Sequence, residues 1–315
     1  MSFLSTAVQD VLDQGPFCAA ATTTPDGPHC TPLVFAASGG RVWLTTSRRS
    51  VKARNWRRDP SIAGLVRHGD LAVTFTGSVR TYDALDSRTW AAAAAGATSI
   101  ARATATFSRK NARFFAGYAV DARQVPLAWT PPGRVFVGVD LERTALLDTD
   151  GVQEGRGRWG GDAASHPTFR RAAATDDPFD GVPSAVREAL GTAGDGALTL
   201  VGTRGPVVLP VRWHLDAGSA YVALPAETLA MADADADAPA ALTIDRADEW
   251  RARDMVGALL QGTGASFVAG AVGSGQKSLR SLADSIAEGA DALVRLRPHR
   301  VVWWQGWSSG SRRSP

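Results

Sequence analysis

The chain of 315 residues is short of several residue types, and each shortage excludes something. Its two cysteines, Cys18 and Cys30, cannot frame a disulfide scaffold in a chain of this length, and a reducing cytoplasmic setting fits them. The five histidines (His29, His68, His166, His214, His299) form no close pair of the H-x-x-x-H kind, which argues against a zinc site. No apolar run reaches the length of a membrane-crossing helix. The opening MSFLSTAVQDVLDQG has no basic start followed by an apolar stretch, so no secretory signal is expected. The net charge is only +3, and there is no aromatic interleaving or recognised binding module, so nucleic acid is not an expected partner. Lysine is the telling scarcity: there are three, Lys52, Lys110 and Lys277, and arginine serves elsewhere. The bias toward Ala, Gly and Arg matches GC-rich coding and weakens any argument from composition alone.

What is present is an ordinary globular balance, 44% hydrophobic and 21% charged, in a chain long enough for two domains with separate cores. The segment Arg41 to Pro60, RVWLTTSRRSVKARNWRRDP, carries most information. A strand-like run, Val42 to Thr46, breaks into a Ser/Arg cluster and then a helix-like turn with Lys52, Arg54 and Asn55. Hydroxyls and cations gathered at a strand end suit a phosphate, whose oxygens accept charge-assisted hydrogen bonds. If Ser50 opens the helix, free backbone N–H groups add to the anion site.

The pattern around this segment recurs. TTPDGPHCTPLVFAASGGRVWLTT (from Thr23) and TRGPVVLPVRWHLDAGSAYVALP (from Thr203) share a Gly-Pro pair, a Pro four residues on, an apolar strand, a Gly-containing turn and a strand with an aromatic. Each reads as strand, turn, strand. An amphipathic helix precedes each, Ser5 to Asp13 and Pro183 to Leu190, with Pro183 and Ser184 as start signals. Strands are expected at Leu71 to Arg80 and Met255 to Phe267, and late in each half at Arg134 to Leu147 and Ala292 to Trp304. The many short strands point to a mainly β (α+β) fold: two tandem antiparallel barrels with peripheral helices, packed face to face as an internal pseudo-dimer. The expected boundaries are 1–160, a Gly/Asp/Pro/Ala-rich linker at 161–181, and 182–315.

The order helix, hairpin with D-G-P, strand ending in T-x-S-x-x-S-x-K-x-R-N, D-P, then a strand with Gly resembles the pyridoxamine 5'-phosphate oxidase-like split-barrel superfamily, which includes flavin- and deazaflavin-dependent oxidoreductases. The resemblance covers residues 5 to 83 well, the strand at Arg134 to Leu147 more weakly, and about 183 to 307 with an eroded motif. It implies a cofactor in a cleft between two barrels, with its phosphate on Thr46, Ser47, Arg49, Ser50 and Lys52. In the second half, LPAETLAMADADADAP sets Leu229 near the place of Ser50, Met231 near that of Lys52, and Asp233, Asp235 and Asp237 in place of the basic run. A phosphate would meet repulsion there, so one working site per chain is expected. The C-terminal VVWWQGW offers Trp303, Trp304, Gln305 and Trp307 as the facing wall: aromatics for stacking and Gln for a polar ring edge. Successive strand residues point to opposite faces, so one of Trp303 and Trp304 belongs to the core and the other to the cleft, Trp304 being favoured.

Other features read more plainly. Arg54, Arg57 and Arg58 are expected on the surface, Cys30 in the core, and the Asp233/Asp235/Asp237 run in a solvated loop, since it lacks the calcium-loop pattern. GAVGSGQKS (270–278) lacks phosphate-loop spacing and reads as a flexible insertion, while Ala91 to Ala105 reads as a lid or packing helix. The expected activity is that of an oxidoreductase using FMN or the deazaflavin coenzyme F420 on a small organic substrate, with no catalytic acid or base assignable. Oxidation of pyridoxamine phosphate itself is disfavoured, because VVWWQGWSSGSRR departs from the W-x-x-x-R-x-H pattern of that enzyme. A haem-binding split barrel, with His29 or His299 as ligand, and a non-catalytic cofactor-binding module remain as alternatives.

Overall fold

The computed structural model describes residues 4–121, 123, 125, 133–161, 163, 177–216, 219–246, 251–269 and 276–313. The first half runs α1 (Thr6–Gln14), β1 (Cys18–Thr24), β2 (Gly27–Leu33), β3 (Phe35–Ser38), β4 (Arg41–Ser47), α2 (Val51–Trp56), β5 (Ser61–His68) and β6 (Leu71–Tyr82). A helical insertion follows, α3 (Trp90–Ala95), α4 (Ala97–Lys110) and α5 (Ala112–Val120), and then β7 (Arg134–Leu147) and β8 (Val152–Arg156). The second half repeats the order: α6 (Ser184–Leu190), β9 (Ala193–Gly202), β10 (Gly205–Asp216), β11 (Ser219–Leu224), α7 (Ala226–Ala230), β12 (Pro239–Arg246) and β13 (Val256–Val268). It ends with α8 (Gln276–Ile286), β14 (Ala292–Gln305) and β15 (Ser308–Arg313).

Both halves are antiparallel and curl on themselves. The first sheet has the order β2-β1-β5-β6-β7-β4-β3, with β8 on β7, and its two ends β2 and β3 are separated in the chain by Val34 alone. In the second, β11-β10-β9-β12-β13-β14 closes through a β11–β14 pairing, with β15 added to β14. The fold is therefore mainly β, a closed six-stranded barrel beside a curled half-barrel sheet, consistent with two split-barrel domains.

The duplication is visible in backbone detail. The β1–β2 and β9–β10 hairpins turn at Gly27 (φ 96°) and Gly205 (φ 94°), a conformation that favours glycine. β6 and β13 each break register at a bulge, between Thr76 and Gly77 and between Gln261 and Gly262. A Cβ on Gly77 would lie 2.2 Å from the Asp140 carbonyl oxygen, and one on Gly262 1.9 Å from that of Arg297.

The helix expected at Ser5 to Asp13 is α1. Ser5 caps it by accepting from the Val8 N–H at 3.2 Å, and Val8, Val11 and Leu12 bury against Phe35, Ile62 and Phe75 in the first barrel. The single Ala-rich helix expected from Ala91 to Ala105 is instead two helices, because Gly96 ends α3 and begins α4. Much of the 161–181 segment, and residues 270–275 of the Gly-rich insertion, lie outside the described residues; Gln276 begins α8.

The barrels touch through β2, which lies against β12, β13 and β9, and through β10, which lies against β5, β1 and β6. A continuous apolar cluster joins Ala21, Cys30, Leu65 and Leu147 of the first half to Leu198, Leu209, Leu242 and Leu260 of the second. Side chains stitch the contact: Thr243 donates to the Cys30 carbonyl (3.0 Å), Gln261 to that of Pro28 (2.9 Å) and Thr74 to that of Val208 (2.6 Å). Among the described residues no helix is long and apolar enough to cross a membrane.

Candidate functional site

A cleft of about 420 Å³ opens between the barrels. Its floor is β2, whose alternation points His29 and Thr31 into the cleft while the carbonyls of Pro28 and Cys30 accept from the second barrel. One wall is the end of β4 and the turn into α2, which brings Thr46, Ser47, Arg49, Ser50 and Lys52 together. The opposite wall comes from the second barrel: Met255, Val302, Trp303, Trp304 and the turn Gly306 to Ser309. The insertion contributes Phe114 and Tyr118 of α5.

The hydroxyls are arranged by the turn itself. Ser50 Oγ accepts from the Ala53 N–H (3.0 Å), capping α2, and from Thr46 Oγ1 (3.0 Å). The Ser47 carbonyl accepts the Ser50 N–H at 2.9 Å, which closes the turn. The arginines then divide. Arg48 and Arg57 turn to the buried carboxylate of Asp83, whereas Arg49 faces the cleft. Arg54, Arg57 and Arg58 are all exposed, as expected for surface charges.

Lys52 is 2% exposed and donates to Thr31 Oγ1; no carboxylate among the described residues pairs with it. Burial lowers its pKa from 10.5 to about 8. The other lysines have plain roles. Lys110 donates to the Leu12 carbonyl at the end of α1 and lies over the Phe35 ring, and Lys277 is exposed on α8. His29 is neutral: burial, with Lys52 and Arg300 nearby, lowers its pKa to about 3. Arg134 adds a third cation, which sequence reasoning missed; its guanidinium donates to the Thr45 hydroxyl (3.1 Å) and carbonyl (2.9 Å). β7 pairs Arg134 opposite Ser47, so it reaches the motif only through sheet register. Among the described residues the cleft is lined by three cations and several hydroxyls, with no carboxylate.

Two expectations about the facing wall need correction. Trp303 and Trp304 both line the cleft. Each ring lies over a glycine on a neighbouring strand: a Cβ on Gly257 would be 2.1 Å from the Trp304 ring, and one on Gly310 2.4 Å from that of Trp303. Strand alternation therefore does not send either ring away from the rim. Gln305 does not line the cleft; it is exposed at the end of β14, where the chain turns into β15. Trp307 does line it, but His299 does not.

The second half also departs from its sequence alignment. β11 ends at Leu224 and Pro225 caps α7 directly, with no counterpart of the Arg48–Arg49 turn. By position in the helix, Pro225 stands for Ser50 and Glu227 for Lys52, four residues earlier than Leu229 and Met231. Leu229 and Met231 are buried and apolar. Asp233 closes a turn, accepting from the Thr203 hydroxyl at 2.6 Å.

Residues 4–125 match the sequence model of the pyridoxamine 5'-phosphate oxidase family. That match spans α1 to α5 of the first half, and the two barrels fit a tandem fusion of related domains. No curated protein matches the chain. Among solved structures it is similar to a conserved hypothetical protein from Mycobacterium tuberculosis (24% identity, 46% of this chain and 85% of that one, TM-score 0.33). It is also similar to a pyridoxamine 5'-phosphate oxidase-related, FMN-binding protein from Nostoc punctiforme (17% identity, 49% and 90%, TM-score 0.34). A third, titled as an F420 reductase, shares 19% identity over 45% of this chain and 98% of that one, with a TM-score of 0.30.

Proposed function

We propose that the protein is an oxidoreductase that holds a flavin-type cofactor, FMN or a deazaflavin, in the inter-barrel cleft and acts on a small organic substrate. The observation that carries this reading is Lys52: an ammonium buried in a cleft to which the described residues supply no carboxylate. Leaving such a charge without a counter-ion is costly, and a phosphate would supply it. Arg49 and the hydroxyls of Thr46, Ser47 and Ser50 lie where they would share the remaining phosphate oxygens. Trp303, Trp304, Phe114 and Tyr118 offer flat apolar surface to a ring system. The family match over residues 4–125 and the FMN-binding and F420-reductase neighbours are in keeping with this class of cofactor.

The bound ring would supply hydride or electron transfer. The chain's own residues would anchor the phosphate, orient the ring by stacking, and exclude water from its face. Glu227 in place of Lys52, and the missing Arg48–Arg49 turn, favour one such site per chain.

Titration with FMN and with riboflavin, which lacks the phosphate, tests the reading. The wild-type protein should prefer FMN. Lys52→Met should weaken FMN by about 10- to 100-fold, the range of a hydrogen bond to a charged group, and leave riboflavin unchanged. A variant that binds FMN as tightly as wild type would sink the assignment. His29, neutral on the cleft floor, keeps haem as the second reading. A Soret band on haem addition that is lost in His29→Ala, with no flavin binding, would favour it.

A further inference from the structure

The insertion between β6 and β7 carries a helical stripe that the phosphate-site reading does not use. On α5 and its C-cap, Phe114, Gly117, Tyr118 and Asp121 stand at i, i+3, i+4 and i+7, one face of the helix. The solvent face carries Phe115 and Val120, both exposed. Along the stripe the contacts form a sequence. Phe114 meets Phe17 edge-on at 5.8 Å, within the first barrel. Tyr118 meets Trp307 of the second barrel edge-on at 5.5 Å. Asp121, 3% exposed, takes Arg251 and Arg253 from the second barrel, the latter at 3.5 Å. Arg251 holds the Asp121 carboxyl below the usual carboxylate range. The insertion is thus fastened to the opposite barrel beside the cleft that Phe114 and Tyr118 help to line.

We propose that α5 is a clasp, fastened by Asp121 to Arg251 and Arg253, that holds Phe114 and Tyr118 against the ring end of the cofactor and so determines retention of the ring independently of the phosphate. This rests on the cofactor reading above and assigns Asp121 as a positioning residue. The geometry separates two tasks. The β4–α2 turn recognises charge, and it comes from the first barrel alone. The clasp recognises a flat surface, and it exists only where the first barrel's insertion meets the second barrel.

The test is a matrix of two ligands and two variants in the full chain, followed by stopped-flow release and equilibrium titration. Asp121→Asn keeps the size of the side chain and removes its charge. It should speed release of FMN and of riboflavin by the same factor, on the order of tenfold, because the phosphate contacts are untouched. Tyr118→Ala, which leaves the ion pair in place, should do likewise. Competition of inorganic phosphate against FMN should give the same phosphate affinity in wild type and in both variants, which a general loosening of the fold would not. Release rates within twofold of wild type in both variants would overturn the clasp, as would an equal loss of inorganic phosphate affinity. If the wild-type chain binds neither FMN, riboflavin nor a deazaflavin, the cofactor reading falls, and the clasp with it. If it binds them and only the variants behave as wild type, the clasp alone falls.

Discussion

Under the proposed function, Lys52 would couple folding to ligand binding. Its lowered pKa means that the folded chain, before ligand binds, holds this proton less tightly than the unfolded chain does. Between pH 8 and 10.5 the unfolded state binds more protons, so the Lys52 contribution favours folding increasingly as pH rises through that window. At neutral pH the buried charge costs roughly 3 kcal/mol, the free-energy equivalent of the lowered pKa. An anion beside the charge opposes this, so affinity for FMN should fall as pH rises above about 8, while Lys52→Met should show a flat profile there. Binding isotherms from pH 6.5 to 9.5 check the sign; the opposite slope would mean that Lys52 does not meet the phosphate. At this scale the sequence was legible for the β4–α2 cluster, because its residues are local and their spacing is set by one turn. It was not legible for Arg134 or Thr31, which reach the cleft through sheet register and strand alternation. Nor did it reveal that Arg48 would turn to Asp83 while Arg49 would not.

Elements decide what a side chain can reach. The rings of Trp303 and Trp304 both lie at the rim because Gly310 and Gly257 leave room above the neighbouring strands. Gly257→Ala should displace the Trp304 ring, shift the intrinsic tryptophan emission and weaken FMN and riboflavin alike, while the chain stays folded by far-UV circular dichroism; unchanged flavin affinity would remove Trp304 from the site. The strands and leading helices of both halves could be read from apolar alternation and turn residues, and β7 coincides with the expected Arg134 to Leu147. What failed was alignment across a deletion. The second half lacks the turn after β11, and a comparison without gaps therefore set Leu229 and Met231 against Ser50 and Lys52 when the helix frame sets Pro225 and Glu227 there. The split of the Ala-rich helix at Gly96 was likewise hidden by a composition that favours helix throughout.

For the whole molecule, the two halves differ most where they would otherwise be equivalent. Saturating titration should give one FMN per chain, and a stoichiometry of two, by calorimetry or absorbance after gel filtration, would show that the α7 side also binds. That the chain holds two related barrels was legible from its repeated hairpins. How the barrels share a wall was not, since it depends on contacts between residues more than two hundred positions apart, Thr243 with Cys30 and Gln261 with Pro28. That wall has a mechanical consequence. β2 shows the cleft one side of its pleat and is gripped along its open edge, where its carbonyls accept from β12 and β13. Prising the barrels apart would tear out the floor of the cleft and expose the apolar cluster that runs between the halves. A doorway made by parting the halves is therefore the expensive route. The thin span of α5, tied to the second barrel by a few charges and carrying exposed Phe115 and Val120 on its outer side, would be the less costly place to part.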